Sequence, residues 1–176
     1  MNDLMLLAML LEGPQHGYAL KKKVGLVTGR GEMHSNLVYP LLKRFVSQGW
    51  VSRRSADGQR GQTREIYALS AKGKNALVKS LSEFGEKAAG SGDAFRFRVS
   101  LFFLLNQGTR ENILLRRDEW LSRREQRFNE IVEATSARGW SKEVIEFVKN
   151  EVQAERKWIE RLRRKTGKRV AEKGKD

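Results

Sequence analysis

The stretch SNLVYPLLKRF, residues 35–45, decides the fold, because it repeats like a helix and yet contains a proline. Its apolar residues recur at spacings of three and four, which places them on one face of an α-helix. These residues are Val38, Leu41, Leu42 and Phe45. The opposite face carries polar residues and the proline, with a tyrosine and an arginine on its flanks: Asn36, Pro40, Lys43 and Ser47, then Tyr39 and Arg44.

Pro40 indicates where this helix begins. A proline in a helix interior loses a hydrogen bond and clashes with the carbonyl four residues back, whereas in the first turn it loses little. We therefore predict that Pro40 marks the N-terminal turn, with Ser35 or Asn36 as the cap and regular helix from near Tyr39. Such an N-terminus has free N–H groups and partial positive charge, and it is the end that a recognition helix presents to DNA.

The neighbouring segments predict a winged helix-turn-helix. Two helices, over about residues 3–11 and 17–27, precede the stretch. Two runs of alternating polarity, WVSRR and REIYALS, follow it and flank the turn-rich segment SADGQRGQT, which predicts a β-hairpin. In this order of elements the third helix enters the major groove and the arginines of the hairpin meet phosphates. The predicted DNA contacts are Ser35, Asn36, Tyr39, Pro40, Lys43 and Arg44 on the helix, and Arg60 and Arg64 on the hairpin.

The rest of the chain has helical patterns. Ser70 can cap a helix from Ala71 to about Ala88, and the small residues of AAGSGD, 88–93, mark the best domain boundary. We predict a mainly α protein with a small β-hairpin. Its parts are a winged helix-turn-helix over 1–88, a helical dimerisation and effector domain over 89–165, and a basic, disordered tail over 166–176.

The last helix has heptad spacing that is typical of an association surface. We predict a homodimer whose interface buries Ile145, Val148, Val152, Ile159 and Leu162. The tryptophans of this half are expected to fill the dimer core or its rim, or one of them to line a pocket for a small planar apolar effector. Trp120 is the best single candidate for the effector site.

Composition restricts the function further. The chain has 35 Lys and Arg against 21 Asp and Glu, a formal charge of +14, which favours polyanionic partners such as DNA, RNA or an acidic membrane surface. It has no cysteine, no basic leader before its first apolar run and no apolar run of membrane-spanning length, so we expect a cytoplasmic protein without membrane contact. Its two histidines have no metal-ligand spacing, and no catalytic motif is readable. We therefore expect neither metal, cofactor nor enzymatic activity.

Three blocks resemble the PadR family of bacterial transcriptional regulators. LLAMLLEGPQHGYALKKKV is similar to the leucine-rich first helix and the G-P-x-H-G-Y motif of that family, LVYPLLKRFVSQGWV to its recognition helix, and GQTREIYALSAKG to its wing strand. The resemblance covers about residues 4–75. It implies a homodimeric, repressor-type DNA-binding protein with a C-terminal helical part for dimerisation, often with an effector site near the dimer interface.

The resulting prediction is a sequence-specific transcriptional regulator that binds a pseudo-palindromic operator as a homodimer. The repressor role rests on the resemblance alone. A second hypothesis is a basic architectural protein that coats nucleic acid without reading sequence, which the excess charge supports. A third is a winged helix that binds a partner protein. Tyr18 and Tyr67 are expected to lie in the core.

Overall fold

The computed structural model describes residues 1–28, 34–57, 63–135 and 138–172. The side chains of 24–28, 57, 63, 134–135 and 168–172 are outside this description. The chain divides into two compact units, Met1–Leu81 and Ser82–Asp176. The sequence suggests a boundary after residue 88, at the small-residue segment; in the structure that segment contributes to α5 and α6, two short helices of the second unit.

The first unit has the element order of a winged helix. Its helices and strands are α1 (Asn2–Met9), a 3₁₀ turn (Leu10–Glu12), β1 (Gln15–His16), α2 (Gly17–Thr28), α3 (Ser35–Ser47), β2 (Val51–Asp57), β3 (Thr63–Leu69) and α4 (Ala71–Ser82). α1 is buried all round from Leu4 to Met9, whereas α3 turns one apolar face inward. Fully buried side chains of three helices form the core: Leu6, Leu7, Leu20, Val38, Leu42 and Phe45.

The predicted helix at the opening stretch is present, but it begins earlier than expected. α3 starts at Ser35, and His34 is its N-cap without a side-chain cap bond, so neither Ser35 nor Asn36 caps it. Pro40 therefore lies in the second turn, and the expectation that it marks the first turn is wrong. Pro40 is exposed, so the helix gives up one hydrogen bond where water can satisfy the carbonyl.

The predicted hairpin is confirmed and gains a third strand. β2 pairs with β3 in an antiparallel register from Val51 opposite Leu69 to Asp57 opposite Thr63. β1 pairs with the other side of β3, so the order is β1-β3-β2. The expected core position of Tyr67 is confirmed, because it is 6% exposed on β3, whereas Tyr18 is 58% exposed on α2 and that expectation is wrong.

Ser70 joins the base of the hairpin to α4. Its hydroxyl accepts from the Gly73 N–H at 3.0 Å, as predicted for a cap, and lies 2.7 Å from the carbonyl of Gly49. A Cβ on Gly73 would lie 2.0 Å from the backbone oxygen of Trp50. Glycine is therefore required at this position, because the backbones approach too closely for any side chain.

The second unit is entirely helical over its described residues. It consists of α5 (Glu86–Ala89), α6 (Gly92–Ser100), a 3₁₀ turn (Phe102–Leu104), α7 (Gln107–Thr135) and α8 (Trp140–Glu172). Phe95 of α6 is fully buried, and the Trp158 ring of α8 meets it edge-on at 5.6 Å between centroids. Ser91 accepts from the N–H of Ala94 and caps the N-terminus of α6.

α7 and α8 are joined by ion pairs that cross from one helix to the other. Arg117 is 3% exposed and binds both carboxylate oxygens of Glu155, at 3.0 and 2.8 Å. Arg156 binds Asp118 and Glu125, each at 3.0 Å, and its pKa is raised mainly by the hydrogen bond to Asp118. Asp118 also lies 3.4 Å from Arg163, whereas Glu125, further along α7, meets Arg156, which comes earlier on α8, so the two helices run antiparallel.

Two observations bear on the expectations for α8. Val152 and Ile159 are 2% and 0% exposed within the single chain, so they are not available as a free association surface; Ile145, Val148 and Leu162 are half-buried. α8 continues to Glu172, so it overlaps the segment from residue 166 that the sequence analysis assigns to the tail. Residues 173–176 lie outside the described residues. Within the described parts of the chain, no helix is long and apolar enough to cross a membrane.

Candidate nucleic-acid interface

The outer face of α3 is open to solvent along its whole length. Asn36, Lys43 and Ser47 are exposed, as are Ser35, Tyr39 and Pro40. The inward residues Val38, Leu42 and Phe45 are fully buried, so the packing of α3 fixes which way this outer face points. The residues of α3 that were predicted to contact DNA therefore lie on its exposed face, and Lys43 is an exposed cation of that face.

Arg44 differs from Lys43 in having a partner inside the unit. Its guanidinium forms an ion pair with Asp3 of α1 and lies 5.5 Å from the centre of the Phe45 ring. Arg44 therefore ties α3 to α1, a role that the helical wheel did not indicate. Lys43 has no carboxylate within ion-pair distance among the residues that the structure describes, so its charge is available to an external anion.

Tyr39 is held by the start of α2. A Cβ at Gly17 would lie 2.9 Å from Cε1 of the Tyr39 ring, so the ring rests against the bare backbone of that glycine. Tyr39 is nevertheless 46% exposed, because only one side of its ring is covered. The pair of helices α2 and α3 thus orients the tyrosine on the exposed side of α3.

α2 adds the pair of Tyr18 and Lys22, whose contact with each other the sequence analysis did not predict. Tyr18 and Lys22 are one helical turn apart, and the Lys22 ammonium lies 5.2 Å from the centre of the exposed Tyr18 ring. The first helix of a helix-turn-helix crosses the DNA backbone, where such a pair meets phosphates. The signal that could have found it is the four-residue spacing of a tyrosine and a lysine on a helix beside the recognition helix.

The wing places its arginines on two different faces. The register puts Arg53 on the same face as Tyr67 and Glu65, and its Nε lies 3.3 Å from a Glu65 oxygen. Arg54 and Arg64 lie on the opposite, outer face, because side chains alternate along each strand. Both are exposed. The wing's outer cations are therefore Arg54, which the sequence analysis did not select, and Arg64, which it did. Arg60 lies outside the described residues.

A family model reaches across both parts of this surface. Residues 6–79 match the model of the transcriptional regulator PadR-like family, and this range contains α2, α3 and the wing. Residues 6–79 are a PadR-like domain. The resemblance inferred from the three sequence blocks is confirmed, as is the predicted fold class of a helical protein with a winged helix-turn-helix.

Solved structures similar to this PadR-like chain include a candidate transcriptional regulator from Thermoplasma acidophilum. The two are 31% identical over 44% of this chain and 74% of that one, with a TM-score of 0.42. A structure of Bacillus subtilis PadR in complex with operator DNA is 15% identical over 93% of this chain and 98% of that one, with a TM-score of 0.46. A search of the curated proteins found no match.

The PadR-like domain over residues 6–79 makes this protein a DNA-binding transcriptional regulator. Among the described residues, no group of three or more His, Asp and Glu side chains is placed to hold a metal ion.

The second unit of the PadR-like chain holds the remaining predicted site residues. Trp120 is half-buried on α7, and the guanidinium carbons of Arg117 and Arg124 lie 5.0 and 5.5 Å from the centre of its indole. The indole nitrogen would lie 3.1 Å from a Cβ at Gly90, so the ring also covers that glycine. The predicted effector residue therefore already has cations against its ring.

An apolar flank of α8 was missed by the heptad reading. Trp140, Val144 and Phe147 are 87%, 61% and 63% exposed and are spaced by four and three residues, so they share one side of the helix. We call these three residues the α8 flank. The heptad frame followed Ile145, Val148 and Val152 instead, which face more toward α7. The clue available in the sequence was the large aromatic residues at 140 and 147, outside the predicted seam.

Proposed function

We propose that this PadR-like protein reads a pseudo-palindromic operator as a homodimer and represses transcription from it. The observation that carries the proposal is the outer face of α3, where Asn36, Lys43 and Ser47 are exposed while the opposite face is fully buried. A helix fixed in this way can enter a major groove without disturbing the core behind it.

The side chains of α3 suggest distinct roles in DNA contact. Lys43 can bind a phosphate or the O6 and N7 acceptors of a guanine, and Asn36 can bind the N6 and N7 of an adenine. Ser35 and the first N–H groups of the helix suit a phosphate, because the N-terminus carries partial positive charge. Tyr39, positioned by Gly17, can donate its hydroxyl to the backbone. Pro40 contributes shape alone, and Arg44 holds α3 to α1 through Asp3.

The wing supports the same surface with charge. Arg54 and Arg64 share its outer face, so both can meet the phosphates beside the groove or enter the minor groove. Arg53, on the other face of the wing, is partly neutralised by Glu65, so it serves as the comparison for Arg54 and Arg64. Arg60 is included in the proposal from the sequence alone.

The homodimer is proposed through the second unit. The α8 flank exposes two aromatic side chains and a valine, and its burial against the same flank of a second copy removes several hundred Å² of apolar surface from water, roughly 150–250 Å² for each fully buried aromatic. Ile145, Val148 and Leu162 are half-buried and can extend this contact, whereas Val152 and Ile159 stabilise it indirectly by holding α8 on α7. At about 25 cal/mol per Å², the association term is several kcal/mol before entropy costs.

The dimer proposal is tested by sedimentation velocity of full-length Val144→Asp. A charge in the flank should shift the protein from dimer to monomer at micromolar concentration, because the carboxylate would be buried without a partner. Gln153→Asp, on an exposed part of α8 outside the flank, is the matched control and should remain dimeric. A Val144→Asp protein that sediments like the control would remove the flank from the interface.

The repressor role and the operator are tested by footprinting on the intergenic DNA beside the gene, followed by transcription of that promoter with and without the protein. We expect protection of two half-sites about one helical turn apart and lower transcription. Affinity for this DNA should exceed affinity for random duplex by about 10³ or more. A ratio near one at two salt concentrations would instead support the coating hypothesis, and raised transcription would overturn repression.

The effector proposal concerns Trp120. A small planar apolar molecule that stacks on the indole would have to displace Arg117 or Arg124 from the ring. Because Arg117 is also bound to Glu155, such a ligand would alter the contact between α7 and α8 and could change the spacing of the two DNA-binding units of a dimer. A release screen on operator-bound protein tests this idea. A compound that acts on the wild type and equally on Trp120→Phe binds elsewhere.

A further inference from the structure

The exposed side of α8 becomes strongly basic after its midpoint. Between residues 156 and 167 the helix has six Lys or Arg residues, and Glu160 is its only acidic residue. Four of the basic residues are exposed, and three of these, Lys157, Arg161 and Arg164, are spaced by four and three residues. At about 100° per residue they lie within roughly 60° of one another around the helix, so they form one stripe. We call these three residues the α8 basic stripe.

Inward arginines of α8 use the acidic groups that face them. Arg156 binds Asp118 and Glu125, and Arg163 lies 3.4 Å from the second oxygen of Asp118. The stripe residues are on the other side of the helix. Among the residues that the structure describes, no carboxylate lies within ion-pair distance of any of the three. Like charges three and four residues apart repel each other on a helix surface, so an external anion would relieve the stripe.

We propose that the α8 basic stripe binds the phosphate backbone of double-stranded DNA, independently of sequence, as a second DNA contact of the regulator. The proposal rests on the proposed function, because the winged helix must first bind DNA. Once it is held on an operator, the local concentration of phosphates is raised for the rest of the same molecule. The stripe rises about 10 Å along the helix axis, and duplex DNA presents one negative charge for about every 1.7 Å of its length, so several phosphates fall within its reach.

A second copy of the chain is a poorer partner for the stripe. The α8 flank is the apolar surface that suits self-association, and it lies about 80° to 140° around the helix from Lys157. A dimer formed through the flank therefore leaves the stripe facing solvent. Among the described exposed acidic residues of α8, Glu143 and Glu146 are on the stripe's own side of the helix and point away from such an interface, and Glu160 borders the stripe. Glu151 lies on the side of the flank.

An anionic membrane is also a poorer partner. A helix that lies in a membrane surface buries an apolar face beside its basic residues. At the level of the stripe the neighbouring apolar residues are Trp158 and Leu162, which are half-buried within the unit, and Trp158 packs against Phe95. The stripe therefore has charge for a polyanion but no free apolar face of its own for a bilayer.

The test compares two full-length triple variants that remove the same charge. One is Lys157→Gln, Arg161→Gln, Arg164→Gln. The control replaces three exposed cations that are scattered over α5 and α7, Lys87→Gln, Arg116→Gln, Arg127→Gln. Binding to the upstream DNA and to a random duplex of equal length is measured by fluorescence anisotropy over a salt series. Circular dichroism confirms that both proteins are folded.

We expect the stripe variant to lower the slope of log K against log salt by about 0.9 for each lost phosphate contact, hence by about 2 to 3 in all. Affinity for both DNAs should fall by the same factor, about tenfold or more, whereas the control should match the wild type. Arg161→Lys with Arg164→Lys, which keeps the charges, should retain the slope. Equal slopes for the stripe and control variants would overturn the proposal. It would also be overturned if the stripe variant kept its DNA binding but lost binding to vesicles of anionic lipid.

The outcomes separate this proposal from the proposed function. If the wild type shows no preference for the upstream DNA, the proposed operator binding is refuted. The salt slopes measured on random duplex then still test whether the stripe binds phosphates. If the stripe variant keeps a full preference with a reduced slope on both DNAs, both proposals hold. A stripe variant that loses preference without losing affinity for random duplex would mean that the stripe acts in sequence reading, which contradicts the proposal.

Discussion

The ion pair between Arg117 and Glu155 gives the sharpest prediction about stability. Arg117 is 3% exposed and also donates to the carbonyl of Ala89 at 2.5 Å, so its guanidinium is almost fully desolvated. Replacing Glu155 by Met leaves this charge unpaired, which costs about 3 kcal/mol after allowance for the partial exposure of the carboxylate. For a unit of this size, that corresponds to a fall in Tm of roughly 10–20 °C.

A double-mutant cycle distinguishes charge pairing from simple packing. Arg117→Met together with Glu155→Met removes both charges and keeps apolar volume, so we expect the double variant to be more stable than Glu155→Met alone. The free energy of unfolding is measured by urea titration with tryptophan emission. A Trp50→Phe background restricts the signal to the second unit, since the other three tryptophans lie there. If the two single losses simply add in the double variant, the reasoning about the buried pair is refuted.

Three further predictions concern the first unit. Gly73→Ala should destabilise it by about 1–3 kcal/mol, because the added Cβ would lie 2.0 Å from the Trp50 carbonyl oxygen, and thermal unfolding measures the loss. Gly17→Ala should leave Tm nearly unchanged but weaken DNA binding by about fivefold, or about 1 kcal/mol, because the Tyr39 ring must turn away. Burial, and then Glu65, raise the pKa of Tyr67 above 10.0, so the folded state favours the neutral phenol. The stability that this phenol contributes is therefore full below pH 10 and is lost as the pH rises through the raised pKa. Tyr67→Phe should flatten this loss of stability in alkaline unfolding titrations.

Each of these three predictions has its own control. Gly85→Ala has open space around the new Cβ and should be close to neutral, so equal losses at positions 73 and 85 would remove the steric argument. Tyr39→Phe combined with Gly17→Ala should add little to either single change in DNA binding if the glycine acts through the tyrosine. Tyr18→Phe, at an exposed tyrosine, should leave the alkaline unfolding curve unchanged.

The periodicity of apolar residues was sufficient to predict the helix α3 and the hairpin that follows it. The spacing of Val38, Leu42 and Phe45 set the inward face of α3, and the outward residues followed from it. The alternation around the Asp57-Gly58 turn predicted the β2–β3 hairpin. β1 could not be predicted, because two residues carry no period, and its strand character comes only from pairing with β3.

Contacts between distant residues are what the sequence left open. Glu155 reads as a defect in a heptad seam until Arg117, 38 residues away, is placed beside it. Arg44 reads as a surface charge until Asp3 is found next to it. The same limit explains the dimer prediction, because a wheel drawn for α8 alone cannot tell which apolar side α7 already covers. Val152 and Ile159 face α7, and the α8 flank does not.

The measurement that tests the central claim most directly is the affinity of Lys43→Gln for the footprinted operator DNA, beside that of Lys79→Gln. Lys79 is an exposed lysine of α4. Its replacement by Gln removes the same charge from a position outside the proposed DNA-binding face of α3. If α3 enters the groove, Lys43→Gln should lose about 1–3 kcal/mol of binding, roughly 5- to 150-fold in Kd, while Lys79→Gln stays near the wild type. Equal affinities for the two variants would contradict the placement of α3 against DNA.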